Sequence, residues 1–279
     1  TAVLRFPSAL ISAATVVLLY LFARRYYGRW VAILAWFFFA AYHYAIHFGR
    51  LAINNIWDIF FAVGVLYFIN KGLEEKRLGH ILAAGVLMGL AIYFYMGSRL
   101  IPIILVVYLL YWMLRQPGFL RDHLAHLIIF GGIALVVALP LLAFFRAHPN
   151  DMMARWTMMG IFPSGWVEAE MQRTGKNVLQ VVLGQFLKSV LAYNYYPDPT
   201  FWYHPGIPLL QFGSSVFFVF GLAYAIANWK KREYFLLVVW FLLVMIFGGT
   251  LLENPPTSPR LVLSIPPVVL CVALGVSKV

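Results

Sequence analysis

The chain has 279 residues, 63% hydrophobic and only 11% charged, with a mean hydropathy of +0.83. Soluble domains are roughly 45–50% apolar and about 25% charged, so the composition excludes an ordinary water-soluble fold. The net charge of +11 does not point to nucleic acid, because the basic residues sit in short loops beside apolar runs, as membrane topology requires.

Segments of about 20 apolar residues predict spanning helices, and about nine occur, at 7–23, 31–48, 54–70, 79–96, 99–114, 124–145, 208–228, 234–250 and 260–277. The predicted fold is therefore all-α: a polytopic bundle in three parts, 1–145 with six spans, an extracytoplasmic loop at 146–207, and 208–279 with three spans. Alternate connections are basic: Arg24, Arg25 and Arg29, then Lys71, Lys76 and Arg77, then Arg115 and Arg121, then Lys230, Lys231 and Arg232. The intervening short ones carry only Arg50, Arg99 and Arg260. This asymmetry puts the basic loops in the cytoplasm and segment 146–207 outside. A start outside the membrane, at Thr1 and without a signal peptide, predicts a chain truncated at its N-terminus. The single Cys271 lies in an apolar run and offers no disulfide framework.

Segment 146–207 is too long for a simple connector and too aromatic for disorder. Within it, Lys176 to Leu191 has helical spacing, with Val178, Val182, Phe186 and Val190 on one side and Asn177, Gln180, Gln185 and Lys188 elsewhere. A helix lying in the interface has this pattern, as does one packed over the spans. Gly85 and Gly89 form a small-xxx-small pair that favours close helix packing.

Ionisable groups in hydrocarbon are costly and need a reason. The densest cluster runs from His47 through Arg50, Asn54 and Asn55 to Asp58. Asn54 and Asp58 share a helix face, and a carboxylate about a turn inside an apolar span calls for a cation, a metal or a hydroxyl. The plainer alternative is an Asp58–Arg50 pair that fixes helix ends. Three further features share the outer side: the Gly97-Ser98-Arg99 turn, the Pro-rich approach from Glu253 to Arg260, and the aromatic run from Tyr193 to Gly206 containing Tyr196, Asp198 and His204. Arginine suits phosphate through its planar fork and permanent charge. Aromatic rings beside polar tips suit sugars, but also simply gather at membrane interfaces. His43 and His47, at i and i+4, could share a metal; no third ligand is evident at matching depth, so no metal site is predicted.

Several of these landmarks occur in order along one known family. Leu4-Arg5-Phe6-Pro7 with Tyr20 to Gly28, Phe48-Gly49-Arg50 to Asp58, the run Pro197-Asp198-Pro199 to Pro208, and Arg260 with Pro266-Pro267 resemble the GT-C class of membrane glycosyltransferases. The likeness is to the family-39 dolichyl-phosphate-mannose protein mannosyltransferases and the bacterial aminoarabinose transferase. The resemblance implies transfer of a sugar from a polyprenyl-phosphate carrier to an acceptor protein, lipid or glycan on the outer face, with inversion. Preorganised charge on the departing phosphate would supply much of the rate. Asp58 matches the family's second acidic position and is the expected catalytic carboxylate; from the residue reading, Arg50, Arg99 and Arg260 are expected on the donor phosphate, and Asn54, Asn55, Tyr196, Asp198 and His204 as substrate contacts. A divalent cation is left open as cofactor. The family's principal acid lies before the position of Thr1, so the chain by itself is expected to be inactive. The absence of an Asn-x-Ser/Thr sequon fits a bacterial or archaeal inner membrane. A polytopic transporter or lipid flippase would instead need broken helices near the midplane and an internal repeat, and neither is visible. A scaffold whose outer part binds a partner is the third reading.

Overall fold

A computed structural model describes residues 2–278 as a bundle of helices, without a named strand among the described residues. The first spans are α1 (Ala2–Tyr26), the pair α2 (Arg29–Ala41) and α3 (His43–Arg50), and α4 (Asn55–Glu75). Gly28 turns the chain after α1 at φ 94°, a backbone region that L side chains avoid. Between α2 and α3 the axis bends by 57°, because Tyr42 is extended rather than helical. Then come α5 (Leu78–Ala91), a single 3₁₀ turn at Met96–Arg99, α6 (Leu100–Arg115) and α7 (Phe119–Ala147). The long segment folds as α8 (Pro149–Met159), α9 (Trp166–Thr174) and α10 (Val178–Val190). Last are α11 (Phe212–Ala227), α12 (Arg232–Val244) with a π turn at Met245–Thr250, the short α13 (Ser258–Leu261) and α14 (Ile265–Lys278).

Six helical segments are long and apolar enough to cross a membrane, and the bent α2–α3 pair makes a seventh. The predicted spans 79–96 and 208–228 are occupied by α5 and α11, only 14 and 16 residues long. The chain is thus a multi-pass membrane protein built only of helices.

Burial sorts the helices. α4 and α14 form the centre, with Ile56, Ile59, Val63 and Leu270 fully enclosed. α4 carries the buried Asn70, whose amide donates to Leu66 O at 2.7 Å while its oxygen accepts from Tyr108 at 2.5 Å. Such internal satisfaction is what allows an amide to sit in hydrocarbon. α7 is almost entirely peripheral and packs on α5 through the predicted glycine pair. A Cβ on Gly85 would come within 2.9 Å of Phe130 O, and one on Gly89 within 2.7 Å of Ala134 O.

The basic loops gather at one end, tied by Glu74, which pairs with Arg25 at 2.7 Å and with Arg232. The opposite end carries α8–α10, stitched to the bundle by Ile161 N–H to Leu251 O (3.1 Å) and Glu253 N–H to Met159 O (3.0 Å). The helix predicted over 176–191 exists, opened by a reciprocal Asn177–Gln180 cap. Of the two orientations left open, it takes the one packed over the bundle. Val181, Gln185 and Ser189 are buried against the π turn, whereas Leu179, Leu183 and Leu187 are exposed. Gln185 is satisfied by Leu252 O at 3.1 Å. In a bilayer the apolar side has no reason to turn inward, and the small Ser189 permits contact with Gly249.

Candidate functional site

At the end opposite the basic loops, three guanidinium groups surround one cleft. Arg99 closes the 3₁₀ turn into α6; its Nη1 donates to Met152 O at 2.7 Å and its charge lies 5.3 Å from the Phe145 ring centre. Arg260 projects from α13, held by a bond from Nη1 to Glu253 O at 3.0 Å and by Nη2 at 3.0 Å from Met159 Sδ. Arg155 comes from α8, a helix with no buried residue. The cleft has a volume of about 180 Å³, and Leu100, Ile103, Phe247 and Leu252 give it an apolar wall. A second cleft, of about 420 Å³, lies alongside and shares Tyr95 and Arg155 with the first. Its lining is mixed: Asn54, Asn55, Tyr95 and Arg155 beside Ala52, Ile53, Trp202 and Pro259. Burial raises the Tyr95 phenol above its ordinary range, while Arg260 and Arg155 act against that shift, so this hydroxyl lies in the field of both. Three permanent cations over an apolar wall suit an anion attached to an aliphatic chain.

Arg99 and Arg260, read from sequence as phosphate ligands, are therefore brought together, and Asn54 and Asn55 line the adjoining cleft. Arg50 is not brought to them: it ends α3, exposed, and lines neither cleft. Asp58 departs further from expectation. It is 1% exposed and lies behind Gly97, where a Cβ would strike its Oδ2. The backbone N–H groups of Tyr95 and Ser98 face it, and its Oδ1 has no partner. None of the ion pairs among the described residues includes Asp58 or Arg50. The carboxylate thus supports the Tyr95–Arg99 turn from within and does not reach the cleft surface.

The aromatic run is likewise structural in part. Asp198 is fully buried and accepts from Thr200 N–H and Oγ1–H, both at 2.9 Å, and from Ser258 N–H at 3.0 Å. It anchors the run to the start of α13 and offers no free surface. Tyr196 stands edge-on to Tyr195, His204 is exposed, and neither lines a cleft. His43 hydrogen-bonds the Tyr203 hydroxyl, and His47 Nε2 lies 2.8 Å from Trp202 O. Both histidines clamp this segment, and no trio of His, Cys, Asp or Glu with metal-binding geometry occurs among the described residues. The residues that sequence reasoning missed are Arg155, Tyr95 and Trp202. Arg155, a lone cation between Met152, Met153, Trp156 and Met159, carried the one usable signal.

No curated protein sequence matches the chain. Among solved structures, ArnT from Cupriavidus metallidurans bound to undecaprenyl phosphate is similar in fold, with a TM-score of 0.63 at 18% identity over 99% of this chain and 46% of that one. The archaeal oligosaccharyltransferase AglB from Archaeoglobus fulgidus, in complex with an inhibitory peptide and a dolichol-phosphate, gives 0.55 at 15% identity, over 99% and 39%. The chain therefore spans less than half the length of these structures. Residues 1–144, just over half of the chain, match the family model of dolichyl-phosphate-mannose-protein mannosyltransferase, and the chain belongs to that family.

Proposed function

We propose that the chain forms the lipid-phosphate-binding part of a membrane glycosyltransferase. The enzyme moves a sugar from a polyprenyl-phosphate donor to an acceptor hydroxyl, with inversion. The observation that carries this reading is the convergence of Arg99, Arg155 and Arg260 on one cleft with an apolar wall. The donor's phosphate would take the guanidinium bonds, and its polyprenyl chain would leave along Leu100, Ile103 and Phe247. ArnT and AglB, both seen with a polyprenyl-type phosphate, support this assignment by likeness of fold. With the basic loops in the cytoplasm, the cleft would open on the outer side of the membrane, and the reading takes that membrane to be a bacterial or archaeal inner membrane.

In this reading the arginines stabilise the leaving phosphate as the glycosidic bond breaks. Their side chains are already held by Met152 O and Glu253 O, so little reorganisation is required as charge develops. Asp58 acts through the turn it supports. No residue lining either cleft carries a carboxylate, so the base that takes the acceptor's proton is not among them. The test is binding of undecaprenyl phosphate to the 279-residue chain in lipid nanodiscs, read by native mass spectrometry. Saturable binding that weakens at least tenfold in Arg260→Ala is expected. Equal retention of the lipid by wild type and by a variant with all three arginines changed to alanine would remove the basis of the proposal.

A further inference from the structure

At the basic end of the bundle, away from the arginine cleft, lies a pocket of about 440 Å³. The ends of α4 and α6 and the starts of α7 and α12 form it, through Glu74, Lys76, Trp112, Asp122, His123 and Arg232. We propose that this pocket binds the headgroup of an aminophospholipid, an ethanolamine phosphate on its diacylglycerol. The phosphate lies against Lys76 and Arg232, and the ammonium donates to Asp122 and His123. The site is independent of the donor cleft and takes a lipid from the leaflet on the side of the basic loops. A headgroup there ties the start of the peripheral α7 to α4 and α12.

The charges decide the class of ligand. Glu74 pairs with Arg25 and Arg232, and Glu75 pairs with Arg25 at 2.9 Å, so these carboxylates and guanidinium groups close on one another. Lys76 and Asp122 are left over, since none of the ion pairs among the described residues includes either. One cation and one carboxylate on the same wall match a zwitterion, whereas a ligand of either single sign meets repulsion from one of them. Arg232 bonds Glu74 through Nη2 only, and its charge lies 4.0 Å from the Trp112 ring centre. This mounting leaves other guanidinium N–H groups for a phosphate. His123 adds an observation independent of the charges: it is 6% exposed, and its Nδ1 has no hydrogen-bond partner. A buried polar atom without a partner calls for one. With Nδ1 as acceptor, an ammonium N–H satisfies it, and a trimethylammonium, which has no N–H, does not. The position suits a lipid. Trp112 stands in the last turn of α6 and donates to Gln116 Oε1 at 2.8 Å, and Trp gathers at the membrane interface. Leu120 and Leu124, on α7 beside Asp122 and His123, are exposed and offer contact to acyl chains.

The experiment reads, by native mass spectrometry, the lipid retained by the protein from nanodiscs of dioleoyl phosphatidylethanolamine, phosphatidylglycerol and phosphatidylcholine in equal parts. Wild type is expected to favour phosphatidylethanolamine about fivefold over each competitor, equivalent to about 1 kcal/mol. Asp122→Asn should erase the preference over phosphatidylglycerol. Lys76→Asn, which suits the left-handed backbone at φ 52°, should weaken both of these lipids about fivefold. Neither variant should alter binding of undecaprenyl phosphate, which reports an intact fold. A series on wild type alone needs no variant: retention should fall as the ethanolamine nitrogen gains one, two and three methyl groups. Equal retention of the three lipids by wild type, or a methyl series without decline, would overturn the proposal. So would a preference for phosphatidylethanolamine that survives Asp122→Asn unchanged. Displacement of the lipid by excess free phosphoethanolamine would make the ligand a soluble solute and overturn its assignment to a membrane lipid.

Discussion

Gly97→Ala probes the link between the buried carboxylate and the arginine cleft. The new Cβ would overlap Asp58 Oδ2 and come within 3.5 Å of Asp58 Cγ and 3.6 Å of Tyr95 Cδ1. Asp58 is itself 1% exposed on the most enclosed part of α4, between Ile56 and Ile59. With no room to retreat, the Met96–Arg99 turn must move outward instead. Forcing one extra carbon into such packing costs about 1–3 kcal/mol, and the displaced turn carries Arg99 away from Met152 O. Loss of one aligned guanidinium is expected to weaken undecaprenyl phosphate about tenfold, or about 1.4 kcal/mol. The assay is a double-mutant cycle with Asp58→Ala, which removes the atom that Cβ strikes. Gly97→Ala should be damaging in wild type and nearly silent when Asp58 is already alanine, a coupling of about 1 kcal/mol or more between contacting residues. Additive losses, or a Gly97→Ala variant that binds and melts like wild type, would refute a carboxylate that acts by bracing the turn.

Arg99→Ala, Arg155→Ala and Arg260→Ala should each weaken undecaprenyl phosphate by about 1.5–3 kcal/mol, the range for hydrogen bonds to charged groups, with little change in thermal stability for the exposed Arg155; calorimetric titration and melting curves check both. Gly221→Leu should fail to reach native stability, because even a Cβ there overlaps the Cys271 carbonyl where α11 crosses α14, and thermal unfolding in detergent shows it. With no carboxylate on either cleft, the 279-residue chain alone should bind donor but show no sugar transfer in a radiolabel assay.

Much of the helix plan was legible because long apolar runs have few alternatives in a bilayer. That Arg99 and Arg260 share one cleft was legible for a related reason: each stands at the end of an apolar run, on the same side by the alternation of loops. Asp58 drew attention because a carboxylate buried in a span reads as function; its enclosure behind the Tyr95–Arg99 turn was not legible, because that turn is distant in sequence. Asp198 misled in the same way, since a polar residue among aromatics can be an internal cap. The orientation of α10 stayed open between the interface and the spans because an apolar side can face lipid as well as protein, and it is Gln185 and Ser189 that pack inward. Arg155 and Trp202 were hidden in the aromatic segment, where interfacial anchoring and ligand contact share one composition.

The central claim is that three arginines hold a lipid phosphate, and a structure of the chain in nanodiscs with undecaprenyl phosphate tests it most directly. The account predicts phosphate density between Arg99, Arg155 and Arg260, with the isoprenoid tail along Leu100 and Ile103. Density for the headgroup at the basic end beside Arg25 and Arg232, with the arginine cleft still bridged to Met152 and Glu253, would contradict it.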